Sequence, residues 1–200
     1  MIQRTKFFDG YKREFGKLND SQVEGLETML KGFDETPHFN LATQYANILA
    51  QTARETNWTF KPKVEGYYIK GNRKKALYNY YARNNPSALR TIFPYGWDSN
   101  LTYEGRGRTQ TTHLFNYMNI SEALDIDCVE NPDLLLDDET DIKVLLHCYH
   151  TGLWTGKKLT DYISDNKTDY KNARRVVNGL DAWREIQADS IKFERIIDFE

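Results

Sequence analysis

The sequence predicts a mainly α-helical fold with one small irregular or β wing around residues 57–72. Apolar residues recur at helical spacing in several long segments, a pattern that is typical of amphipathic helices. The wing instead mixes aromatic and β-branched residues with Pro62, Gly66 and Gly71, which favours irregular chain or a short hairpin. A chain of 200 residues without internal repeats can bury one core, so we expect a single domain over residues 1–200.

Two helices are predicted in the first third of the chain. Ser21, followed three residues later by Glu24, has the capping-box pattern, and Gly32 is expected to end the first helix. The second helix, from Asn40 to Glu55, is the most apolar one. Further helices are expected in these segments: 73–84, 109–125, 131–138, 138–154, 158–163, 169–177 and from Trp183 to Ile197. A loop is expected after Pro86.

Charge and cysteine content restrict the class of protein. The chain carries 27 basic and 29 acidic side chains, for a net charge of −2. Nucleic-acid-binding proteins usually have a basic excess, so this balance counts against a nucleic-acid partner. Cys128 and Cys148 do not make a disulfide framework, and His147 and His150 lack a second pair of ligands. We therefore expect no metal and no other cofactor.

The hydropathy of the chain bears on its location. No apolar run approaches the roughly 18 residues that a transmembrane helix requires, so we expect no membrane span. The N-terminal segment lacks the apolar core and cleavage site of a secretory signal. Synthesis in a cytoplasm is the expectation that follows, with another system needed for any action outside it.

The stretch "YEGRGRTQTTHLFNY", residues 103–117, places a flexible cationic turn before a segment rich in hydrogen-bonding side chains. Two kinds of partner suit such a surface: the phosphates of a nucleotide, or the hydroxyls and amides of a sugar chain. Arg106 could brace carboxylates or carbonyls beneath a binding groove, or the Gly-Arg-Gly sequence could only fix the turn. The charge balance of the chain favours the sugar.

Two glutamates are candidate catalytic groups. Glu55 ends the most apolar helix, at the boundary between core and solvent, and Glu65 follows in the wing. Glycoside hydrolysis uses two carboxyl groups, one to protonate the leaving oxygen and one to activate water or attack. The alternative is that both are ordinary solvated side chains, as most acidic residues are.

Three segments, "AQTARETNW", "VEGYY" and "YEGRGRTQTTHLFNY", occur in the order found in glycoside hydrolase family nineteen, which contains plant-type chitinases and related phage endolysins. The resemblance extends over about residues 40–185. It implies a lysozyme-like fold and an inverting enzyme, with Glu55 as general acid, Glu65 as general base and Thr112 holding the attacking water. It also implies substrate contacts from four polar side chains: Gln110, Asn116, Tyr117 and Asn178.

We add Tyr67 and Arg106 as candidate substrate-binding residues, because both lie within the matching segments. The sequence departs from the family pattern at several positions, including Arg54 before the first glutamate and Arg108 after the second glycine. These changes affect the expected shape of the groove and leave both carboxyl groups in place. Other basic residues, Arg174-Arg175 and Arg73-Lys74-Lys75, are interpreted as solvated faces. The tryptophans Trp58, Trp97 and Trp154 could stack on sugars, although packing is the commoner role.

The resemblance and the composition together lead to a functional expectation. We expect a peptidoglycan hydrolase that cleaves β-1,4 bonds between amino sugars, without a separate wall-binding domain. A phage endolysin made in the host bacterial cytoplasm and dependent on a holin would fit, as would a phage-particle component acting on the cell wall. We expect a monomer. A chitinase, a lytic transglycosylase and a non-catalytic glycan-binding or virion protein are the alternatives.

Overall fold

The structure is a computed structural model that describes residues 1–200. Its helices and strands, in chain order, are α1 Arg4–Phe15, α2 Asp20–Glu35, α3 Ala42–Glu55, β1 Lys63–Val64, α4 Arg73–Asn84, α5 Pro86–Ile92, β2 Arg106–Gly107, α6 Leu114–Leu124, α7 Asp138–Thr151, β3 Ile163–Ser164, β4 Lys167–Thr168, α8 Tyr170–Ala173 and α9 Trp183–Ile196. Short 3-10 helices occupy Pro132–Leu136, Leu159–Asp161 and Arg174–Val176. The mainly α prediction is confirmed.

Helix α2 begins earlier and ends later than its sequence predicts. The side chain of Asn19 accepts a hydrogen bond from the Gln22 backbone, and the Gln22 side chain accepts one from the Asn19 backbone. This reciprocal cap replaces the expected Ser21–Glu24 pair, because both pairs have the same spacing and Asn caps as well as Ser. Gly32 does not end the helix, which continues to Glu35.

The wing is present, but its strand does not pair within the wing. Strand β1 pairs antiparallel with β2, so that Lys63 lies opposite Gly107 and Val64 opposite Arg106. The Gly-Arg-Gly turn therefore supplies the partner strand. Of the two alternatives for residues 57–72, irregular chain is confirmed and a hairpin within the segment is wrong. A second small hairpin joins β3 to β4 through Asp165-Asn166. It follows the short helix expected over residues 158–163, of which Leu159–Asp161 forms a 3-10 helix and Ile163 belongs to β3. Asp and Asn are common in turns because their side chains can hydrogen-bond to the nearby backbone.

Two further boundaries differ from expectation. Pro86 ends α4 as predicted, but it also occupies the first turn of α5, and Asn85 caps that helix. Proline is favoured at this position because its missing N–H is not needed there. Helix α6 starts at Leu114 because the preceding residues form a tight turn, in which Gln110 and His113 have φ values of 57° and 75°.

The chain forms two compact units. The terminal unit consists of Met1–Lys61 and Leu145–Glu200, and the central unit of Pro62–Val144. The prediction of a single domain stays a prediction. None of the helices is long and apolar enough to cross a membrane.

The terminal unit packs α3 against α9 around a large apolar core that α1 and α2 also enter. A buried polar ladder runs between α3 and α9. The Asn47 amide donates to Ser190 Oγ at 3.2 Å, and the Gln51 amide donates to Asn47 Oδ1 at 2.8 Å and to the Ala173 carbonyl at 3.2 Å. Because buried amides need partners, the ladder specifies how these helices align.

The central unit has a smaller apolar cluster between α4 and α5. Leu77, Ala88, Ile92 and Phe93 are its buried members, and Trp97 packs against them. Leu77 is the buried residue of α4, so most of that helix is open to solvent.

Candidate active site

The candidate site residues fall into both units. The central unit contains these seven: Glu65, Tyr67, Arg106, Gln110, Thr112, Asn116 and Tyr117. The terminal unit contains Glu55 and Asn178.

Glu65 follows β1 and is held at each carboxylate oxygen. Its Oε1 accepts a hydrogen bond of 2.8 Å from the Tyr81 hydroxyl, and its Oε2 accepts one of 3.1 Å from the Gly105 backbone. The Glu65 backbone N–H donates to the Gly105 carbonyl at 2.6 Å. The two donors fix the orientation of the carboxylate, and a general base must be held within reach of the proton that it removes.

Gly105 is the point on which several candidate residues converge. A Cβ atom at this position would lie 3.0 Å from Gln110 Oε1 and 3.2 Å from Thr112 Oγ1. The Gly105 N–H contacts Glu65, so the carboxylate, the amide and the hydroxyl surround one glycine. The Thr112 hydroxyl donates to the Gln110 carbonyl at 2.8 Å, which leaves its oxygen able to accept a hydrogen bond.

The other polar residues of this turn hold its shape. The Gln110 amide donates to the carbonyls of Lys63 and Gly107 at 2.9 and 3.0 Å, so it fastens the turn to β1. The Asn116 amide donates to the Thr112 carbonyl at 2.8 Å and is buried. Both amide nitrogens are therefore used inside the protein.

Arg106 and Tyr117 lie beneath the turn rather than on its surface. Arg106 is 2% exposed and donates to the Thr102 carbonyl at 2.7 Å and to Asp133 at 2.8 Å. The Tyr117 hydroxyl donates to the Glu104 carbonyl at 2.9 Å and is also buried. These contacts match the bracing role predicted for Arg106, and they place both side chains behind the residues that could touch a sugar.

The buried carboxylate of Glu104 connects Arg106 to Glu65 through Arg73. Arg73 donates to the Glu65 carbonyl at 2.9 Å and to Glu104 Oε1 at 2.8 Å. Burial alone would raise the pKa of Glu104, but Arg106 and Arg73 hold it below its ordinary value. Arg73 was expected on a solvated face and instead links Glu65 to this buried charge network.

Arg108, which departs from the family pattern, is buried and points towards α7. Its backbone and guanidinium contact Asp141, and the guanidinium also contacts Asp138. Burial raises the pKa of Asp141 although Arg108 lowers it. The substitution therefore anchors the turn to the first residues of α7.

Tyr67 is the exposed candidate of the wing. Half of its side chain is open to solvent, and the Lys63 ammonium lies 4.2 Å from its ring centre. His113, expected at the groove edge without a partner, contacts the Thr91 hydroxyl at 2.9 Å.

In the terminal unit, Glu55 ends α3 and pairs with a buried arginine. Its Oε1 lies 2.7 Å from Arg174 Nη1. Arg174 is 1% exposed and also contacts Gln51 and Asp181, at 3.3 and 3.2 Å. The interpretation of Arg174 as solvated is wrong: the 3-10 turn directs Arg174 inward, whereas Arg175 is exposed.

Tyr149, on α7, contributes a buried hydroxyl beside this ion pair. It has no hydrogen-bond partner. Burial raises the pKa of Tyr149, Arg174 lowers it, and Glu55 raises it further, so the hydroxyl stays protonated.

The chain directly after Glu55 is tightly turned. Asn57, Trp58 and Phe60 have φ values of 51°, 62° and 55°, and such left-handed conformations persist only where surrounding contacts impose them. Trp58 packs against Phe15 and Phe60, which fixes the turn. The expected packing role of this tryptophan is thereby observed.

Asn178 is exposed and is positioned through Arg174. Its backbone N–H donates to the Arg174 carbonyl at 3.1 Å, and its Oδ1 accepts from the Gly179 backbone at 2.8 Å. The two cysteines are free and buried, and no cluster of three or more metal-binding side chains is present.

Glu55 at a helix end and Glu65 beside the Gly-Arg-Gly turn are the residue type that enzymes cleaving sugar chains use in pairs. Residues 27–162 match the model of the class I chitinases, glycoside hydrolase family 19. The chain belongs to this family, which confirms the resemblance of its motifs.

Individual relatives are distant. The chain is 27% identical over 153 residues to chitinase 3 of Oryza sativa subsp. japonica, covering 68% of this chain and 46% of that protein. It is 31% identical over 123 residues to chitinase 11 of the same plant, covering 62% and 37%. The chain thus spans less than half the length of these curated relatives.

Solved structures share the fold. Chitinase C from Streptomyces griseus HUT6037 superimposes with a TM-score of 0.60 at 19% identity, covering 94% of this chain and 75% of that one. A bacterial family 19 chitinase superimposes with a TM-score of 0.54 at 21% identity, covering 96% and 95%. The predicted lysozyme-like architecture is confirmed.

Proposed function

We propose that the protein hydrolyses β-1,4 bonds between amino sugars, with peptidoglycan glycan strands as its substrate. The observation that carries this proposal is the convergence of Glu65, Gln110 and Thr112 around Gly105. A base, a hydroxyl and an amide around one glycine are groups that can bind and activate a water beside a sugar.

In the proposed reaction, Glu65 removes a proton from water that Thr112 helps to orient. Tyr81 and Gly105 hold the carboxylate of Glu65 in one orientation, since both donate hydrogen bonds to it. Glu55 donates a proton to the leaving oxygen and Arg174 holds its carboxyl group in place. Tyr67 and Asn178 contact the sugar, while Arg106 and Tyr117 position the turn from below.

An inverting outcome is part of the proposal. Inversion requires the two carboxyl groups to be about 6.5–9.5 Å apart when substrate is bound, so that a water fits between them and the sugar. The configuration of the newly formed reducing end, observed by NMR during early turnover, tests this directly. A retained configuration would contradict the role assigned to Glu65.

Peptidoglycan is preferred over chitin because of local charge. Residues 62–97 carry seven Lys or Arg and a single acidic residue, Glu65. Peptidoglycan carries carboxylates on its stem peptides and chitin is neutral, so cations near the base favour the former. Chitin hydrolysis is the second candidate, because the relatives that share the family motifs are named chitinases. If peptidoglycan is the substrate, the protein acts on the bacterial cell wall. We therefore also propose that it acts as a phage endolysin released through a holin, or as part of a virion.

The test uses purified peptidoglycan and a chitin hexamer, with wild type, Glu55→Gln, Glu65→Gln and the exposed control Glu122→Gln. Products are identified by mass spectrometry, because a hydrolase adds water whereas a lytic transglycosylase forms anhydro sugars. We expect water-adding cleavage by wild type and the control, and a loss of at least about a hundredfold in kcat for the two carboxyl variants. Equal cleavage by wild type and Glu55→Gln would overturn the assignment.

A further inference from the structure

Residues 67–83 of the central unit expose several cationic and tyrosine side chains. On α4, Lys75, Tyr80 and Arg83 are exposed. Tyr67, Tyr68 and Lys70, in the chain that leads into α4, are exposed as well. We call these six residues the α4 surface.

The cations of this surface lack carboxylate partners. Lys70, Lys75 and Arg83 form no salt bridge in the structure, and Lys75 instead lies 5.3 Å from the ring centre of Trp97. The negative charge of the central unit is concentrated in another part of its sequence. Residues 122–141 contain nine acidic and no basic side chains. The net charge of the whole chain therefore conceals a strongly positive segment.

The α4 surface is continuous with the proposed base. Tyr81, adjacent to Tyr80 and edge-on to its ring at 5.5 Å, donates the hydrogen bond to Glu65 Oε1. Tyr67 lies two residues after Glu65 and is half exposed. A polymer that reaches Glu65 can thus extend along the helix, where flat phenol rings suit sugar faces and the cations suit carboxylates.

We propose that the α4 surface binds peptidoglycan outside the reacting bond, with Lys70, Lys75 and Arg83 pairing with stem-peptide carboxylates and the tyrosines contacting sugar rings. The choice of partner rests on the proposed function, because a nucleic acid would also suit cations and aromatic rings. The carboxylate of Glu65 at one end of the surface favours the glycan, since the sugar backbone that would reach it is neutral whereas a phosphate backbone would be repelled.

Binding is measured with Glu65→Gln, so that cleavage does not interfere, on sacculi stripped of other wall polymers. The test variant adds Lys70→Gln, Lys75→Gln and Arg83→Gln, and the matched control adds Lys12→Gln, Lys17→Gln and Lys157→Gln, three exposed cations of the terminal unit. We expect about tenfold weaker binding for the test variant, little change for the control, and a smaller dependence on salt for the test variant. Thermal unfolding checks that each variant folds. If the triple variant does not fold, Arg83→Gln alone is measured in its place.

Three further arms identify the partner. Sacculi whose carboxylates have been amidated should bind test and control variants equally, and chitin should behave in the same way. Tighter binding to duplex DNA than to sacculi at the same salt would overturn the proposal in favour of a nucleic acid. Equal loss in the test and control variants would also overturn it, because the effect would then be one of net charge.

Turnover separates this proposal from the proposed function. In the active protein, the three α4 substitutions should lower the ratio of activity on sacculi to activity on a chitin hexamer by about tenfold. An unchanged ratio with normal cleavage rejects the α4 surface alone. No cleavage of either substrate by wild type rejects the proposed function, while the binding result still decides whether the surface holds an anionic glycan.

Discussion

The hydroxyl of Tyr81 donates a hydrogen bond of 2.8 Å to Oε1 of Glu65, so a residue of α4 orients the carboxylate that follows β1. Burial and the neighbouring Glu65 raise the pKa of Tyr81, and the phenol therefore remains a donor at neutral and moderately alkaline pH. We expect Tyr81→Phe to lower kcat/KM by about tenfold to a hundredfold, because hydrogen bonds to charged groups contribute about 1.5–3 kcal/mol. Tyr78→Phe, on the same helix, serves as the control, and equal rates for the two variants would contradict this role.

The buried ion pair between Arg174 and Glu55 predicts a large difference between neighbouring arginines. Arg174→Ala leaves a partly buried carboxylate without its cation, so we expect a loss of about 3–5 kcal/mol in the free energy of unfolding. Arg175→Ala, on the exposed side of the same turn, should change it by less than about 0.5 kcal/mol. Chemical denaturation of both variants provides the comparison, and similar values would show that the pair is not structurally important.

Tyr149 predicts a conflict between stability and activity. Its hydroxyl is buried without a hydrogen-bond partner, and removing such a group can stabilise a protein. Tyr149→Phe should therefore raise the free energy of unfolding by about 1 kcal/mol. We expect kcat to fall, because the charges of Arg174 and Glu55 both act on this hydroxyl, which places it beside the ion pair, and stability is commonly traded against activity at functional sites. If the variant is more stable and its kcat is unchanged, Tyr149 has no role in the reaction.

Histidines of the terminal unit predict a loss of stability in acid. Burial lowers the pKa of His147 and of His150, and His38, stacked 4.0 Å from His150, lowers both further, as Lys158 does for His150. The unfolded chain binds protons at these rings as the pH falls through their ordinary value of 6.5, while the folded chain binds fewer. Their contribution to stability is thus complete above about pH 6.5 and declines below it.

The double variant His147→Gln, His150→Gln tests this pH dependence. The free energy of unfolding, measured by denaturant titration at several pH values from about 7.5 downwards, should decrease less steeply in the variant than in wild type. Parallel curves would show that other groups govern the acid response.

The sequence located the two glutamates and the Gly-Arg-Gly turn because each belongs to a short motif whose order along the chain is visible. The partners of those residues were not visible. Helical spacing places Tyr81 on α4 but says nothing of its bond to Glu65, and Arg174 is remote in sequence from Glu55. Sequence alone does not show which of two adjacent arginines turns inward.

Secondary structure was predictable where the helical spacing of apolar residues continues over several turns. Helix α3 was expected to end near Glu55 and does so, since apolar and small residues repeat over several turns. The pairing of β1 with β2 escaped prediction because strands of two residues have no periodicity, and their contact joins distant segments.

The ladder of Asn47, Gln51 and Ser190 has a consequence for the evolution and redesign of this protein. Apolar surfaces tolerate sliding by a fraction of a turn, whereas directional bonds between amides and a hydroxyl permit one axial register of α3 on α9. Since Glu55 is the last residue of α3, its position along the helix axis depends on the contacts of Asn47, two turns earlier in the same helix. Substitutions at Ser190 can therefore displace Glu55 without touching it, and homologues that replace this hydroxyl should carry a compensating change at Asn47.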